Sequence, residues 1–267
     1  MLRQPAVAGS FYPLNPRELS RQVEALLISD RPSQRVKAII VPHAGYIYSG
    51  AVAGEVFAQT DIPRQVLLIG PNHHGRGLKI ALSSADAWAT PLGKVPLAHD
   101  LCAHLVKNIH QIDIDDSAHE YEHSLEVMLP FLMKRQPDLE IVPLALRNLT
   151  LNECLTLGTQ IASAMQSWGQ DILLLASSDM NHFSSAETTE KLDKLAIAAM
   201  TDYDPERLYR VVHENNISMC GVLPAITVMQ AARESGATSC RLVRHSHSGK
   251  INHDNSSVVG YAGLSIQ

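Results

Sequence analysis

A chain of 267 residues that is 45% hydrophobic and 18% charged can build a substantial core, which excludes a disordered protein. Its 22 basic and 27 acidic residues leave a formal net charge of −5 without long runs of either sign, so it lacks the basic stripe that nucleic-acid binding requires. The longest apolar runs, such as residues 172–176, fall far short of the roughly 20 residues of a membrane-spanning helix, and Met1-Leu2-Arg3-Gln4-Pro5 has no signal-peptide core. A cytoplasmic protein with neither nucleic-acid nor membrane partners is the expectation.

In chain order, Asn15-Pro16 opens the first predicted helix with a cap and a first-turn proline, running to about residue 27. A strand at 36–41, a helix at 51–59 and strands at 66–69 and 80–83 follow. Next come a helix at 98–109, a strand at 139–144, a helix at 151–168 and a strand at 172–176. Helices at 187–201, 205–215 and 224–234 lead to a last strand at 258–262. Short strands rich in Val, Ile and Leu, alternating with helices, predict an α/β fold: a three-layer sandwich with a largely parallel central sheet. No repeat or Gly/Ser/Pro linker divides the chain, so residues 1–267 are expected to form a single domain.

Histidine is the unusual count, with 13 residues, as many as Phe, Tyr and Trp combined. Three histidine-bearing segments directly follow predicted strands: Pro42-His43, Gly70-Pro71-Asn72-His73-His74 and Ser177-Ser178-Asp179-Met180-Asn181-His182. Ligands of open α/β sheets bind beyond the carboxyl ends of the strands, so these segments can converge. Neutral imidazole is a common metal ligand, which makes His43 and one of the adjacent pair His73 and His74 candidate ligands. Asp179 and His182 have the spacing of a general acid/base pair brought to one pocket by a turn.

Other motifs carry less. His119-Glu120-Tyr121-Glu122-His123 matches the string of zinc peptidases, but Glu126 stands where an extended zincin has glycine, and Pro130 limits a helix there. Glu122, His123 and Glu126 otherwise read as the polar start of a helix. The four cysteines, Cys102, Cys154, Cys220 and Cys240, form no Cys-x-x-Cys pair and are expected to be free thiols, packed as small apolar residues. His245, His247 and His253 read as a solvated loop before the last strand, with a secondary metal tract as the rival reading. Phosphate-loop, dinucleotide and serine-hydrolase signatures are absent.

Ala8-Gly9-Ser10-Phe11-Tyr12, Pro42-His43-Ala44-Gly45-Tyr46, Gly70-Pro71-Asn72-His73-His74 and Glu122-His123-Ser124-Leu125-Glu126 occur in the order seen in the Memo family. Ser178-Asp179-Met180-Asn181-His182, Cys220-Gly221 and Ser256-Ser257-Val258 complete the match, and the chain resembles that family over nearly its whole length. The resemblance implies a fold like that of class III extradiol ring-cleavage dioxygenases, which hold non-haem Fe(II). It also implies that His43, His73 and Cys220 are metal ligands, the cysteine standing where the dioxygenases use a carboxylate. His182 would match their acid/base histidine, and His123 would line the pocket. Val222-Leu223 departs from members with polar residues after Cys220-Gly221. Bacterial and archaeal members are named as component B of the AmmeMemoRadiSam system, which implies the radical-SAM protein and the other component of that system as partners.

The expectation is therefore a Memo-like metal-binding protein with a 2-His-1-Cys site for iron or copper, zinc being the other candidate ion. Redox or oxygen-linked chemistry on a small molecule or peptide is expected, with His182, Asp179 and His123 as the catalytic set. A thiolate is softer than a carboxylate and argues against ring cleavage itself. The rival readings are a non-catalytic module that grips a peptide or metabolite in the same pocket, and a zinc-dependent hydrolase.

Overall fold

The computed structural model describes residues 1–267. Its first half runs β1 (Leu2–Arg3), α1 (Pro16–Leu26), β2 (Ala38–Val41), α2 (Tyr46–Ala58), β3 (Gln65–Pro71), β4 (Ile80–Leu82), β5 (Ala87–Thr90), β6 (Gly93–Pro96), α3 (His99–Asn108) and β7 (Asp113–Ile114). The second half runs α4 (Leu129–Arg135), β8 (Glu140–Leu146), α5 (Leu151–Trp168), β9 (Ile172–Ser177), β10 (His182–Ser184), α6 (Ala186–Thr201), α7 (Pro205–Glu214), α8 (Val222–Glu234), β11 (Cys240–His247), α9 (Gly249–Asn252) and β12 (Val258–Ile266).

Nine strands form the main sheet, in the order β10-β12-β2-β9-β3-β8-β4-β7, with β11 paired to β12. Its centre, β2-β9-β3-β8, is parallel. Antiparallel pairs extend it on both sides, β12 on β2 and β4 on β8. Both faces are covered, as the apolar runs require. Ile40, Leu67, Ile69, Leu174 and Ala176 point into one core beneath α3, α5, α6, α7 and α8. Their alternates Ile39, Val41, Val66, Leu68, Leu173 and Leu175 point into a second core beneath α1, α2 and α4. The two-residue period thus supplies both interfaces of the three layers.

Local signals set the helix ends. The Asn15 side chain accepts from the amides of Arg17 and Glu18, with Pro16 in the first turn of α1. Thr150 and Glu153 form a reciprocal capping box on α5, which stops at Gly169 in the left-handed conformation.

Three regions differ from the sequence expectation. Pro130, read as a limit on a helix, sits in the first turn of α4, where its missing N–H costs nothing. Residues 240–247, read in part as a solvated loop, are strand β11, antiparallel to β12 throughout. The short strands β1, β5 and β6 make a separate three-stranded sheet, whose Trp88 is buried beneath the Arg3 guanidinium, 4.2 Å above the ring.

Candidate metal centre

Because β2, β9 and β3 are parallel neighbours, their carboxyl ends open on one edge of the sheet. His43 leaves β2 there, His73 leaves β3, and the segment from Ser178 to His182 leaves β9. His123 arrives from the irregular segment before α4. One donor atom from each of His43, His73 and His123 lies within 4.8 Å of the others. The His73 and His123 rings stack with centroids 4.7 Å apart, and His43 meets both edge-on at 5.1 and 5.5 Å.

Hydrogen bonding decides which nitrogen each ring presents. The Ser177 hydroxyl donates to the Ser124 carbonyl at 2.6 Å, so its oxygen can only accept from His43 Nδ1, also at 2.6 Å. His43 therefore carries its proton on Nδ1, and Nε2 keeps a free lone pair. His73 Nδ1 lies 2.9 Å from Glu122 Oε1, which leaves its Nε2 free by the same logic. Glu122 also accepts from the backbone amides of His73, His123 and Ser124 at 2.6, 3.0 and 2.9 Å. Burial alone would raise this carboxyl, but the His73 hydrogen bond and the amides outweigh it and hold it well below the usual range. A carboxylate behind a ligating imidazole is the arrangement that fixes ring and tautomer in metal sites.

Cys220 enters from the turn before α8, with Sγ 3.3 Å from His43 Nε2. Gly221 makes that approach possible, since a Cβ there would overlap the Ser177 carbonyl and the Ser178 side chain. The amide of Asp179 donates to Sγ at 3.3 Å. Burial, and then the nearby Asp179 carboxylate, pushes the thiol well above its ordinary value. The tight trio is His43, His73 and His123; Cys220 stands beside it on the His43 side.

Asp179 is not hydrogen-bonded to His182 as an acid/base pair. Its carboxylate is buried and accepts the His43 amide at 2.8 Å, so it fixes the turn that carries His43. His182 bonds through Nδ1 to the Ser218 carbonyl at 2.8 Å. A carbonyl only accepts, so Nδ1 carries the proton and Nε2 is the ring's basic atom. A register shift between His182 and Ser184 throws Phe183 outward at φ 60°, and its ring stands in solvent.

Burial and mutual repulsion disfavour the charged forms of His43 and His123. His43 is pushed well below its usual value by burial, then by His73 and His123. His123 is lowered to about 4, again chiefly by burial. Three imidazoles with donor atoms within 4.8 Å of one another, and an adjacent thiol, are a donor set that suits a first-row transition metal.

Other candidates fall elsewhere. His119 is buried away from the trio, with Nε2 donating to the Ala81 carbonyl at 3.0 Å and its ring edge-on to Trp88. The residues around it form a turn, with only a 3-10 segment at Asp116–Ala118 before it, so the peptidase-like string has no helix to align its histidines. His74 is exposed. Glu122 and Glu126, read as a solvated helix start, are fully buried. Glu126 receives Arg3, Tyr12 and the amides of Ala6 and Val7 at 2.6 to 3.0 Å, which ties the N-terminal segment to the His123 segment. In turn, Phe11 of that segment packs its ring 4.8 Å from His123. His245 and His247 face α6 rather than solvent, 2.7 Å from Asp193 and 3.5 Å from Glu190, while His253 is exposed. Sequence reading missed Ser177 and Ser124 as site residues, although a serine ending the apolar run of β9, just before the Asp179–His182 segment, was a usable signal.

Comparison with known proteins agrees over the whole chain. The family model described as "Memo-like protein" matches residues 3–265. A MEMO1 family protein of Aquifex aeolicus is 40% identical over 266 residues, covering 98% of each chain. One of Methanothermobacter thermautotrophicus is 38% identical over 277 residues, covering 99% of this chain and 100% of its own. The crystal structure of an uncharacterized protein from Escherichia coli K12 superposes with a TM-score of 0.58 at 14% identity, over 87% of this chain and 100% of that one. That likeness concerns the α/β fold alone. On the family model and these relatives, the chain belongs to the Memo family.

Proposed function

We propose that the chain is a metal-dependent protein in which His43, His73 and His123 hold one iron or copper ion, Cys220 joins them as a thiolate, and redox or oxygen-linked chemistry follows on a small molecule or peptide in the pocket. One observation carries the reading. His43 and His73 both have Nδ1 engaged, which leaves the Nε2 atom of each ring for an ion beside His123 and the Cys220 thiol.

Each surrounding group has a task in this reading. Glu122 orients His73 and adds negative charge behind it, Ser177 does the first of these for His43, and Asp179 pins the His43 backbone. His182, with its proton on Nδ1, accepts a proton from substrate at Nε2 and can return it. When bound, iron or copper supplies Lewis acidity and one-electron chemistry.

The test is spectroscopic. Copper(II) added to wild-type protein should give an intense thiolate-to-metal absorption band, and Cys220→Ser should bind copper without that band. A wild-type spectrum with histidine ligation alone would remove the thiolate from the site. Anaerobically purified protein that carries zinc and takes up neither iron nor copper would favour the hydrolase reading instead.

A further inference from the structure

Two polar features lie outside the trio and are not used by it: the buried carboxylate of Asp193 on α6, and His245 of β11. They belong to one network that ends at His182. Asp193 is fully buried, with Oδ2 2.7 Å from His245 Nε2 and Oδ1 accepting the Asn181 amide at 3.0 Å. One turn earlier on α6, Thr189 Oγ1 accepts from Asn181 Nδ2 at 3.2 Å. Helix α6 therefore grips Asn181 at both its main chain and its side chain. The remaining atom, Asn181 Oδ1, accepts from the Ser218 hydroxyl at 3.2 Å. Ser218 in turn holds the next residue twice: its Oγ accepts the His182 amide at 2.7 Å, and its carbonyl accepts Nδ1–H at 2.8 Å.

We infer that Asp193, clamped by His245, is a positioning residue for His182: through Asn181 and Ser218 it fixes the ring with its proton on Nδ1 and its lone pair on Nε2. This rests on the proton-moving role proposed above for His182. The last link has one direction only. The Ser218 carbonyl can only accept, so Nδ1 must donate, and the carbonyl stays in place because Asn181 holds the Ser218 side chain. Asn181 can offer Oδ1 to Ser218 because Thr189 takes its amide group. The fold makes room for the carboxylate at Gly260 of β12, where any Cβ would overlap Asp193 Oδ2. A fully buried carboxylate is costly unless every lone pair facing the protein is used, and here both oxygens have partners.

The experiment reads the ring of His182 directly by ¹⁵N NMR on metal-free protein, its signal assigned by its disappearance in His182→Gln. Wild-type protein should show one neutral form, protonated at Nδ1. Asp193→Asn should keep it, because an amide oxygen still accepts from Asn181 while the amide group meets His245 in its other tautomer. Asp193→Ala and Asn181→Ala should shift both ring nitrogens toward the averaged position of a two-tautomer mixture. A single Nδ1-protonated form in either folded alanine variant would overturn the inference. So would failure of both to fold, since the network would then serve the fold rather than the ring. Metal uptake, measured separately, speaks to the metal centre alone: its absence would sink that reading and leave the tautomer result standing.

Discussion

Cys220 Sγ lies 3.3 Å from His43 Nε2, although 177 residues separate the two in the chain. Nε2 is unprotonated, so the thiol is the donor, and an ion entering here takes the place of that hydrogen. Burial keeps His43 and His123 neutral near neutral pH, and it holds the thiol protonated. Metal binding should then release one proton, and affinity should rise about tenfold per pH unit between about pH 6.5 and 8. In Cys220→Ser the slope should vanish. A wild-type affinity that is independent of pH, measured by competitive chelator titration, would contradict thiolate ligation.

Glu122→Gln tests the support behind His73. The variant keeps the shape but loses the charge, and its amide can turn only one acceptor to four donors. Metal affinity should fall by about 10- to 100-fold with the fold intact. Unchanged affinity would mean that the carboxylate serves the backbone alone.

Glu126→Gln addresses the N-terminal clasp. Arg3 and Glu126 form a buried ion pair at 2.6 Å, and Arg3 also donates to the carbonyls of His119 and Glu122. Removing one charge strands the other, so stability should drop by about 3 kcal/mol in denaturant titration. Residues before Tyr12 should become open to proteolysis. A variant as stable as wild type would show that the pair is dispensable.

His119→Gln separates the buried histidine from the ligand set. Burial lowers His119 from 6.5 to about 4, so the unfolded chain takes up a proton that the folded one refuses. Its contribution to stability is complete above about pH 6.5 and is lost as pH falls toward 4. Glutamine can still donate to the Ala81 carbonyl, so the variant should keep its metal. It should also lose up to about 3 kcal/mol less stability than wild type across that window. Equal acid sensitivity in the two proteins would contradict the assignment.

Much of this was legible in the sequence because burial leaves a pattern. The apolar runs at β2, β3 and β9 are buried on both faces, and the residues just after them had to sit on the open edge. That placed His43 and His73 near one another without knowledge of tertiary contacts. Strand β11 was not legible, since it alternates Arg244, His245, Ser246 and His247. Its polarity comes from pairing, with Arg244 reaching Glu55 on one side and His245 reaching Asp193 on the other. Glu122 and Glu126 looked solvated for the same reason: their partners, His73 and Arg3, are 49 and 123 residues away. Local composition cannot show that a charge is buried when its counterpart is distant.

Metal analysis of tag-free protein, wild type beside His43→Ala, tests the metal centre most directly. One first-row transition metal per wild-type chain, and none in a folded His43→Ala protein, is the expected result. Wild-type protein that takes up no such metal, or a folded His43→Ala variant that retains it in full, would contradict the assignment of His43, His73 and His123 as its site.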